Sequence, residues 1–582
     1  MLVEMPLPFA DNRRVWSLSL LGGLTMFLVQ PPVDLWMLAW LAPLPWLWLI
    51  KVDTLRAAHP WRAIWVGGFV YWLGAIHWLR LPHPATSIGW LALSAYLAVC
   101  VPLFVWTTRR LVHDWKWPLV AAAALAWMAF EHLRGCLFGG FTLAALSHTQ
   151  WRWTTLIQLA DCFGACGVSG VVMAVAASVA AILPDGQTVL ADRGHRNRDQ
   201  VSKRIWNAAA GLGILAAALG YGAWRIAGEP PRQGVPLDVL LVQGSIDTQL
   251  KHDPAAAEQV VREYDRLTVA ALAGASGGEF SAATPDLIVW PETMWRWGLL
   301  EIDPSEVLPE SVVEQAIGPV GAPEDLAESA ADRQLRCHRW LEQERLDAVG
   351  AFARRYASTW IVGLDKQVIS PQLPGGVQNF NCALFLNAAG QPLDCYEKMH
   401  PVLFGEYVPL AGRFPWLYQL TPLPAGLTAG VEPVAVRIAN QNVATNICYE
   451  TALPEAVRSL VLNLERQGRR PDVIVNLTND GWFWGSSELD MHLTSAIFRA
   501  VEVRTPLVIA ANTGLSASID GSGRLLARGP RRATATLRVR VYPDGRPSFW
   551  LAWGSLPMGA CVAIAAVLML EKGLRRGSLE KR

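Results

Sequence analysis

The run ATNICYET, residues 444–451, decides how the second half of this chain is read. Apolar residues lead into Cys448, and the polar pair Tyr449 and Glu450 follows. Free cysteine is among the most buried residue types and ordinarily packs as a small inert hydrophobe. The alternative is a buried strand that delivers a reactive thiol at its end. Six other stretches share the form: DVLLVQG (238–244), DLIVWPE (286–292), TWIVGLD (359–365), NCALFLN (381–387), DVIVNLTND (472–480) and PLVIAANTG (506–514). Short apolar runs bounded by polar or glycine punctuation read as buried strands. Helical spacing fills 255–274, 339–357, 454–467 and 490–504, and NAAGQ and DGSG mark turns. The alternation predicts an αββα sandwich with both sheet faces partly covered. The stretch 302–338, rich in Glu, Asp, Pro and Ala, reads as a surface insertion.

Outside this region the composition changes. Of the 582 residues 52% are hydrophobic and only 17% charged, which is too apolar for an ordinary soluble protein and too long for one domain. A formal charge of +1 argues against a nucleic-acid partner, which needs a basic surface. Apolar stretches near the roughly 20 residues that cross a bilayer lie at about 15–31, 34–50, 62–79, 87–107, 117–133, 155–183, 206–225 and 550–570. The expectation is a polytopic α-helical membrane domain over 1–227 with about seven crossings. An outer catalytic domain follows over 228–547, then a last transmembrane helix and tail over 548–582. QPPVDLW runs from the first stretch straight into the second with no small-residue cleavage site, so the first reads as a retained helix.

Basic residues collect in alternate loops. Arg13 and Arg14 precede the first stretch; Lys51, Arg56 and Arg62, then Arg109, Arg110 and Lys116, then Arg193 to Arg204, and finally Lys572 to Arg582 follow the even ones and the last. Positive loops stay cytoplasmic, so both termini are expected inside and the 228–547 domain on the periplasmic face of a bacterial inner membrane. A nucleophilic Cys448 must stay reduced, which leaves at most one disulfide among Cys337, Cys382 and Cys395. Cys162 and Cys166 lie four apart on an apolar helix with no histidine near and read as packing, not a metal site. Glu131 and Arg134 are spaced to pair on one helix face.

Several predicted strands end on reactive side chains: Glu292, Cys448, and Asn479 with Asp480. Strand ends are where α/β folds place chemistry. Between them lies CYEKMHPVLFGEYVPL, with Lys398 and Glu406. A thiol needs a base to become a nucleophile, and a cation can stabilise the oxyanion that its attack creates. A Glu, Lys and Cys set therefore suits acyl transfer without metal or cofactor.

WPE (290–292), YEKMHPVLFGEYVPL (396–410), ICYE (447–450) and NLTNDGWF (476–483) occur in the order seen in the nitrilase, or carbon-nitrogen hydrolase, superfamily. With AWMAFEHLRG (126–135), QLADCFGACGVSG (158–170) and LVQGSI (241–246), nearly the whole chain resembles the membrane-bound apolipoprotein N-acyltransferase family. The resemblance implies Glu292 as general base, Lys398 as oxyanion-stabilising cation and Cys448 as nucleophile, with Glu406, Tyr449 and Glu450 supporting the site. It implies no metal and no cofactor. The implied reaction is ping-pong through a cysteine thioester. The acyl donor is a membrane phospholipid, typically phosphatidylethanolamine, and the acceptor is the N-terminal amine of a diacylglyceryl-modified apolipoprotein. Trp295, Trp297, Trp482, Phe483 and Trp484 are candidates for lipid-facing or lid positions, with core packing the alternative. His252 stands where the family often has a tryptophan. Two other functions fit the same residues: a membrane-tethered amidase with water as acceptor, and a transporter or sensor whose outer domain only binds a ligand.

Overall fold

A computed structural model describes residues 9–183, 198–231, 235–247, 253–274, 284–318, 329–373 and 375–579, apart from 410, 412, 415 and 418–425. His252 lies outside the described residues. Near the start, β1 (Phe9–Asp11) pairs in parallel with β2 (Thr54–Arg56). The remaining strands are β3 (Leu237–Gln243), β4 (Leu287–Ile302), β5 (Thr359–Ile369), β6 (Val377–Leu386), β7 (Pro392–Glu397), β8 (Ala435–Ile438), β9 (Gln441–Ile447), β10 (Val473–Thr478), β11 (Leu507–Ala511), β12 (Ala517–Ile519), β13 (Leu525–Arg528) and β14 (Ala535–Val541). They form two six-stranded sheets, ordered β14-β3-β4-β5-β6-β7 and β13-β12-β11-β10-β9-β8. In the first, β3, β4 and β5 run parallel; in the second, β9, β10 and β11 do.

The period-2 rule explains the layers. Val239, Leu241, Val289 and Ile361 of one sheet meet Val443, Ile447, Val475 and Leu477 of the other. Their neighbours Leu240, Val242, Ile288 and Trp360 face outward under the helices Ala257–Gly274 and Ala330–Tyr356. Ala444, Ile474, Leu507 and Ile509 face the helices Pro454–Arg466 and Glu488–Val503. Both faces of each sheet are covered, which is why the strand sequences read as continuous apolar runs. The described residues of 302–338 include the helix Glu310–Ile317 and the first turns of Ala330–Tyr356, which begins well before the expected 339.

The helical part departs from eight uniform spans. Among the described residues, three helices are long and apolar enough to cross a membrane: Thr86–Asp114, Ala160–Ile182 and Ile205–Ala227. The stretch 34–50 is not one helix; it splits into a 3-10 turn, Trp36–Trp40, and an eight-residue helix, Leu44–Lys51, because Pro43 and Pro45 interrupt the backbone ladder. The other expected stretches form the helices Asn12–Leu28, Pro60–Ala75, Leu119–Cys136 and Leu556–Leu579. The 155–183 stretch breaks into Thr154–Ile157 and Ala160–Ile182, and the latter bends at Gly164, whose φ of 62° suits a residue without Cβ.

The two ends of Ala160–Ile182 meet different surroundings. At its first turn the buried Asp161 pairs with Arg504 and Arg225, at 2.5 and 2.7 Å. At its last turn Ala180 and Leu183 carbonyls accept from Lys51 Nζ at 2.7 and 2.8 Å. The sandwich thus packs at one end of the helical part and the basic loop residue Lys51 lies at the other, about 30 Å away along the helix. Arg109 joins Lys51's end, donating to the Leu49 and Val52 carbonyls. All nine cysteines are free thiols.

Candidate active site

Strand ends bring the reactive residues together. Cys448 follows the last residue of β9 and opens a 3-10 turn, Cys448–Ala452. Its φ of 54° is a left-handed conformation that a side chain other than glycine adopts at a cost of about 1–3 kcal/mol. Glu450 holds this turn. Its carboxylate accepts from the Ile447 N–H at 2.7 Å, the Tyr396 hydroxyl at 2.8 Å, and the Met399 and His400 N–H groups at 2.8 and 2.9 Å. One buried carboxylate therefore ties the Cys448 turn to the loop that carries Lys398. Burial would raise its pKa, but donors from His400, Ile447 and Tyr396 and the field of Lys398 outweigh it and hold the carboxyl below its usual range.

Glu292 does not end its strand. β4 continues to Ile302, and Glu292 sits in a break of register: β5 partners advance only from Val362 to Leu364 while β4 advances from Trp290 to Trp295. Thr293 takes a φ of 56° in this bulge. Gly363 makes room for it, since a Cβ there would lie 2.2 Å from the Pro291 carbonyl oxygen. A bulge re-aims a side chain, and Glu292 Oε1 accepts from Asn381 Nδ2 at 2.7 Å and Oε2 from the Asn479 N–H at 2.8 Å.

Lys398, the first residue after β7, is 1% exposed. Its Nζ lies 2.6 Å from Glu406 Oε1 and 3.5 Å from Glu292 Oε1. Glu406 Oε2 in turn accepts from the Val402 N–H at 2.8 Å. Burial would lower the lysine's pKa, but Glu406, Glu292 and Cys448 outweigh it, and the ammonium is held above its ordinary value. Burial, and after it Glu292, push the Cys448 thiol well above its usual value, while Lys398 pulls it down. At rest Cys448 is a thiol and Lys398 is charged. A thiol held this way needs a base at the moment of attack.

The aromatic candidates separate. Trp295 is 1% exposed and packs edge-on to Phe352 and Trp360, so it is core and not a lipid-facing or lid residue; the bulge returns it to the face covered by Ala330–Tyr356. Trp297 and Trp484 are 40% and 47% exposed. Trp482 is half-buried. Phe483 packs edge-on against Trp78 of the helical part at 5.0 Å. Tyr449 also reaches that part, donating from its hydroxyl to the Gly140 carbonyl at 2.9 Å, and Thr142 donates to the Ala452 carbonyl at 2.6 Å. The 138–146 loop is fixed by Arg134, which donates to the Phe141 and Leu143 carbonyls and pairs with Glu131 at 3.3 Å.

Four further residues complete the site. Asn381 and Asn479 orient Glu292. Asn476 Nδ2 and His492 Nε2 both donate to the Cys448 carbonyl, at 3.2 and 3.1 Å. Asn381 and His492 carry no local signal, since each lies inside an ordinary strand or helix pattern. Asp480, Glu488 and His492 also bring their ligand atoms within 4.8 Å of one another, a grouping that could hold a metal ion. Against that use, His492 already engages Asp480 through one ring nitrogen and Cys448 through the other.

Residues 22–178 match the family model of the apolipoprotein N-acyltransferase N-terminal domain, and residues 242–544 that of carbon-nitrogen hydrolase. The apolipoprotein N-acyltransferase of Rhodopirellula baltica is 28% identical over 92% of this chain and 93% of that protein. That of Geobacter metallireducens is 29% identical over 97% of this chain and 96% of its own length. A crystal structure of an amidase from Nesterenkonia sp. aligns with 54% of this chain and 92% of its own, at 16% identity and a TM-score of 0.33. The chain belongs to the carbon-nitrogen hydrolase family and, with this N-terminal domain ahead of its sandwich, to the apolipoprotein N-acyltransferases within it.

Proposed function

We propose that the chain transfers an acyl chain from a membrane phospholipid to the N-terminal amine of the diacylglyceryl-modified cysteine of an apolipoprotein. The carrying observation is that Glu292, Lys398 and Cys448, far apart in sequence, meet in a buried cluster whose nucleophile turn touches the helical part through Tyr449. Glu292 takes the thiol proton as Cys448 sulfur attacks the ester carbonyl carbon. The oxyanion that forms faces the Lys398 ammonium, which stabilises it more than the neutral ester. Collapse breaks the ester C–O bond, and the lysophospholipid oxygen leaves with the proton from Glu292. A thioester remains on Cys448. The apolipoprotein amine then attacks it and loses a proton to Glu292, and the departing Cys448 thiolate takes that proton back.

Both substrates are held in lipid by about 0.8 kcal/mol per buried methylene, so the site must be presented at a bilayer. The reading is of a multi-pass protein of a bacterial inner membrane with about eight crossings, both termini cytoplasmic and the sandwich periplasmic. The placement of Lys51 and Arg109 at the helix ends remote from the sandwich supports that orientation. Phosphatidylethanolamine is the expected donor.

The test is to incubate purified protein with labelled phosphatidylethanolamine and seek a hydroxylamine-sensitive acyl adduct on Cys448 by mass spectrometry. Wild type forms it, and Cys448→Ser and Glu292→Gln do not. Folded wild type that instead hydrolyses a small amide without lipid is an amidase, and unchanged biological activity in Cys448→Ala removes the enzyme reading altogether.

A further inference from the structure

Behind the nucleophile lies a buried ionic group that the triad does not use. His492, 4% exposed in the helix Glu488–Val503, points Nε2 at the Cys448 carbonyl oxygen, 3.1 Å away, and Nδ1 at Asp480 Oδ1, 3.3 Å away. Both partners are acceptors. A neutral imidazole has one N–H, so it satisfies one of them and turns a lone pair on the other; only the imidazolium donates to both. Asp480 is itself fixed by the Thr478 hydroxyl at 2.8 Å, and its Oδ2 lies so close to Gly514 that a Cβ there would approach it to 2.0 Å.

The acceptor that His492 holds belongs to the strained residue. Cys448 stands at φ 54°, and its carbonyl orientation fixes which way the peptide, and with it the Cα–Cβ bond, is turned. Asn476 supplies the second donor to the same oxygen. We propose that His492, held as a cation by Asp480, is a positioning residue that locks the Cys448 turn in the attacking conformation. This rests on the assignment of Cys448 as nucleophile. Glu488 lies beside the Asp480–His492 pair, and its buried Oε2 has no hydrogen-bond partner among the described residues. Burial, reinforced by Asp480, pushes its carboxyl well above the usual range.

The ionisable groups facing the ring are Asp480 from the turn after β10, Glu488 from its own helix, and Cys448 beyond the carbonyl; Asp490 and Arg531 act on Glu488. Burial would lower the imidazole, but Asp480 and Glu488 outweigh it and raise it to about 9. The cation is therefore present through neutral pH and lost as pH rises past that value.

The experiment follows thioester formation on Cys448 in full-length wild type, His492→Leu and His492→Gln with labelled phosphatidylethanolamine, at several lipid concentrations and pH values. Thermal unfolding of each variant checks its fold. Leucine lowers the maximal acylation rate by roughly 10- to 100-fold, the scale of a misplaced reacting group, and leaves the half-saturating lipid concentration unchanged. Glutamine, which can still donate to the carbonyl, recovers most of the rate. In wild type the rate falls on an alkaline limb near 9 that the glutamine variant lacks. A folded leucine variant that acylates as fast as wild type overturns the proposal, as does a glutamine variant that is as slow as leucine or keeps the alkaline limb. Absence of any adduct in wild type would instead remove the nucleophile assignment, and this role with it.

Discussion

The sandwich meets the helical part at two junctions built from opposite materials. Beside Cys448, neutral hydrogen bonds join Tyr449 to the Gly140 carbonyl and Thr142 to the Ala452 carbonyl. At the far end of the helix Glu488–Val503, buried ions join the parts: Arg504 and Arg225 converge on Asp161, and Glu502, paired with Arg499 at 2.7 Å, accepts from the Ala165 N–H. Neutral contacts to backbone carbonyls are individually weak and break and re-form at small cost. A buried ion group tolerates no loss of a member, because the remaining charge is stranded. The far junction fixes the sandwich on the helical part, and the near one joins the two parts only through single neutral hydrogen bonds. The helix Glu488–Val503 connects them, with His492 toward its start and Arg499 and Glu502 toward its end.

That contrast can be broken by mutation. Asp161→Asn is expected to have the largest effect on stability, about 3–5 kcal/mol, since it leaves Arg225 and Arg504 buried without their carboxylate. Thermal unfolding in detergent measures it, and the acylation rate per folded molecule should stay close to wild type. A stable Asp161→Asn protein that acylates slowly would reverse the roles given to the two junctions. Glu450→Gln comes next, at about 1.5–3 kcal/mol, because an amide replaces a charged acceptor of several hydrogen bonds. Its acylation rate should fall as well, since Glu450 joins the Lys398 loop to the Cys448 turn. The sign of the pH effect follows from the depressed carboxyl: this contribution is complete above the unfolded value near 4.3 and disappears as pH falls through the lower folded value. The acid limb of wild-type stability should therefore flatten in Glu450→Gln. Tyr449→Phe is the mildest, about 0.5–1.5 kcal/mol, yet it should alter acylation more than unfolding temperature. Equal losses in both would erase the distinction between the junctions.

Much of the sandwich was readable because strand formation is local: short apolar runs with glycine or polar punctuation mark β3, β5, β6, β9, β10 and β11 within a few residues, and the start of β4. The strand carrying Glu292 was cut short in that reading. Pro291 looks like a terminator, but a bulge absorbs it and pairing with β5 resumes at Trp295. The same bulge buries Trp295, which its aromatic neighbourhood alone could not distinguish from an interfacial residue. In the helical part, hydropathy located the apolar stretches but not the break at 36–44, where prolines override an apolar average.

The linear sequence by itself determined that Cys448 follows the end of a strand, that the helical part holds long apolar stretches, and that Glu292, Lys398 and Cys448 follow one another in that order. Burial patterns and local turns are properties of neighbouring residues, so they are written in the chain. Only the tertiary structure decided that these three side chains meet and that Glu450 ties two loops together. It also decided that Asn476 and His492 converge on one carbonyl with Asp480 on the other ring nitrogen of His492, and that two chemically different junctions hold the sandwich. Those contacts join residues separated by up to hundreds of positions, and no local preference specifies a partner at that distance; the packing of two sheets and their covering helices does.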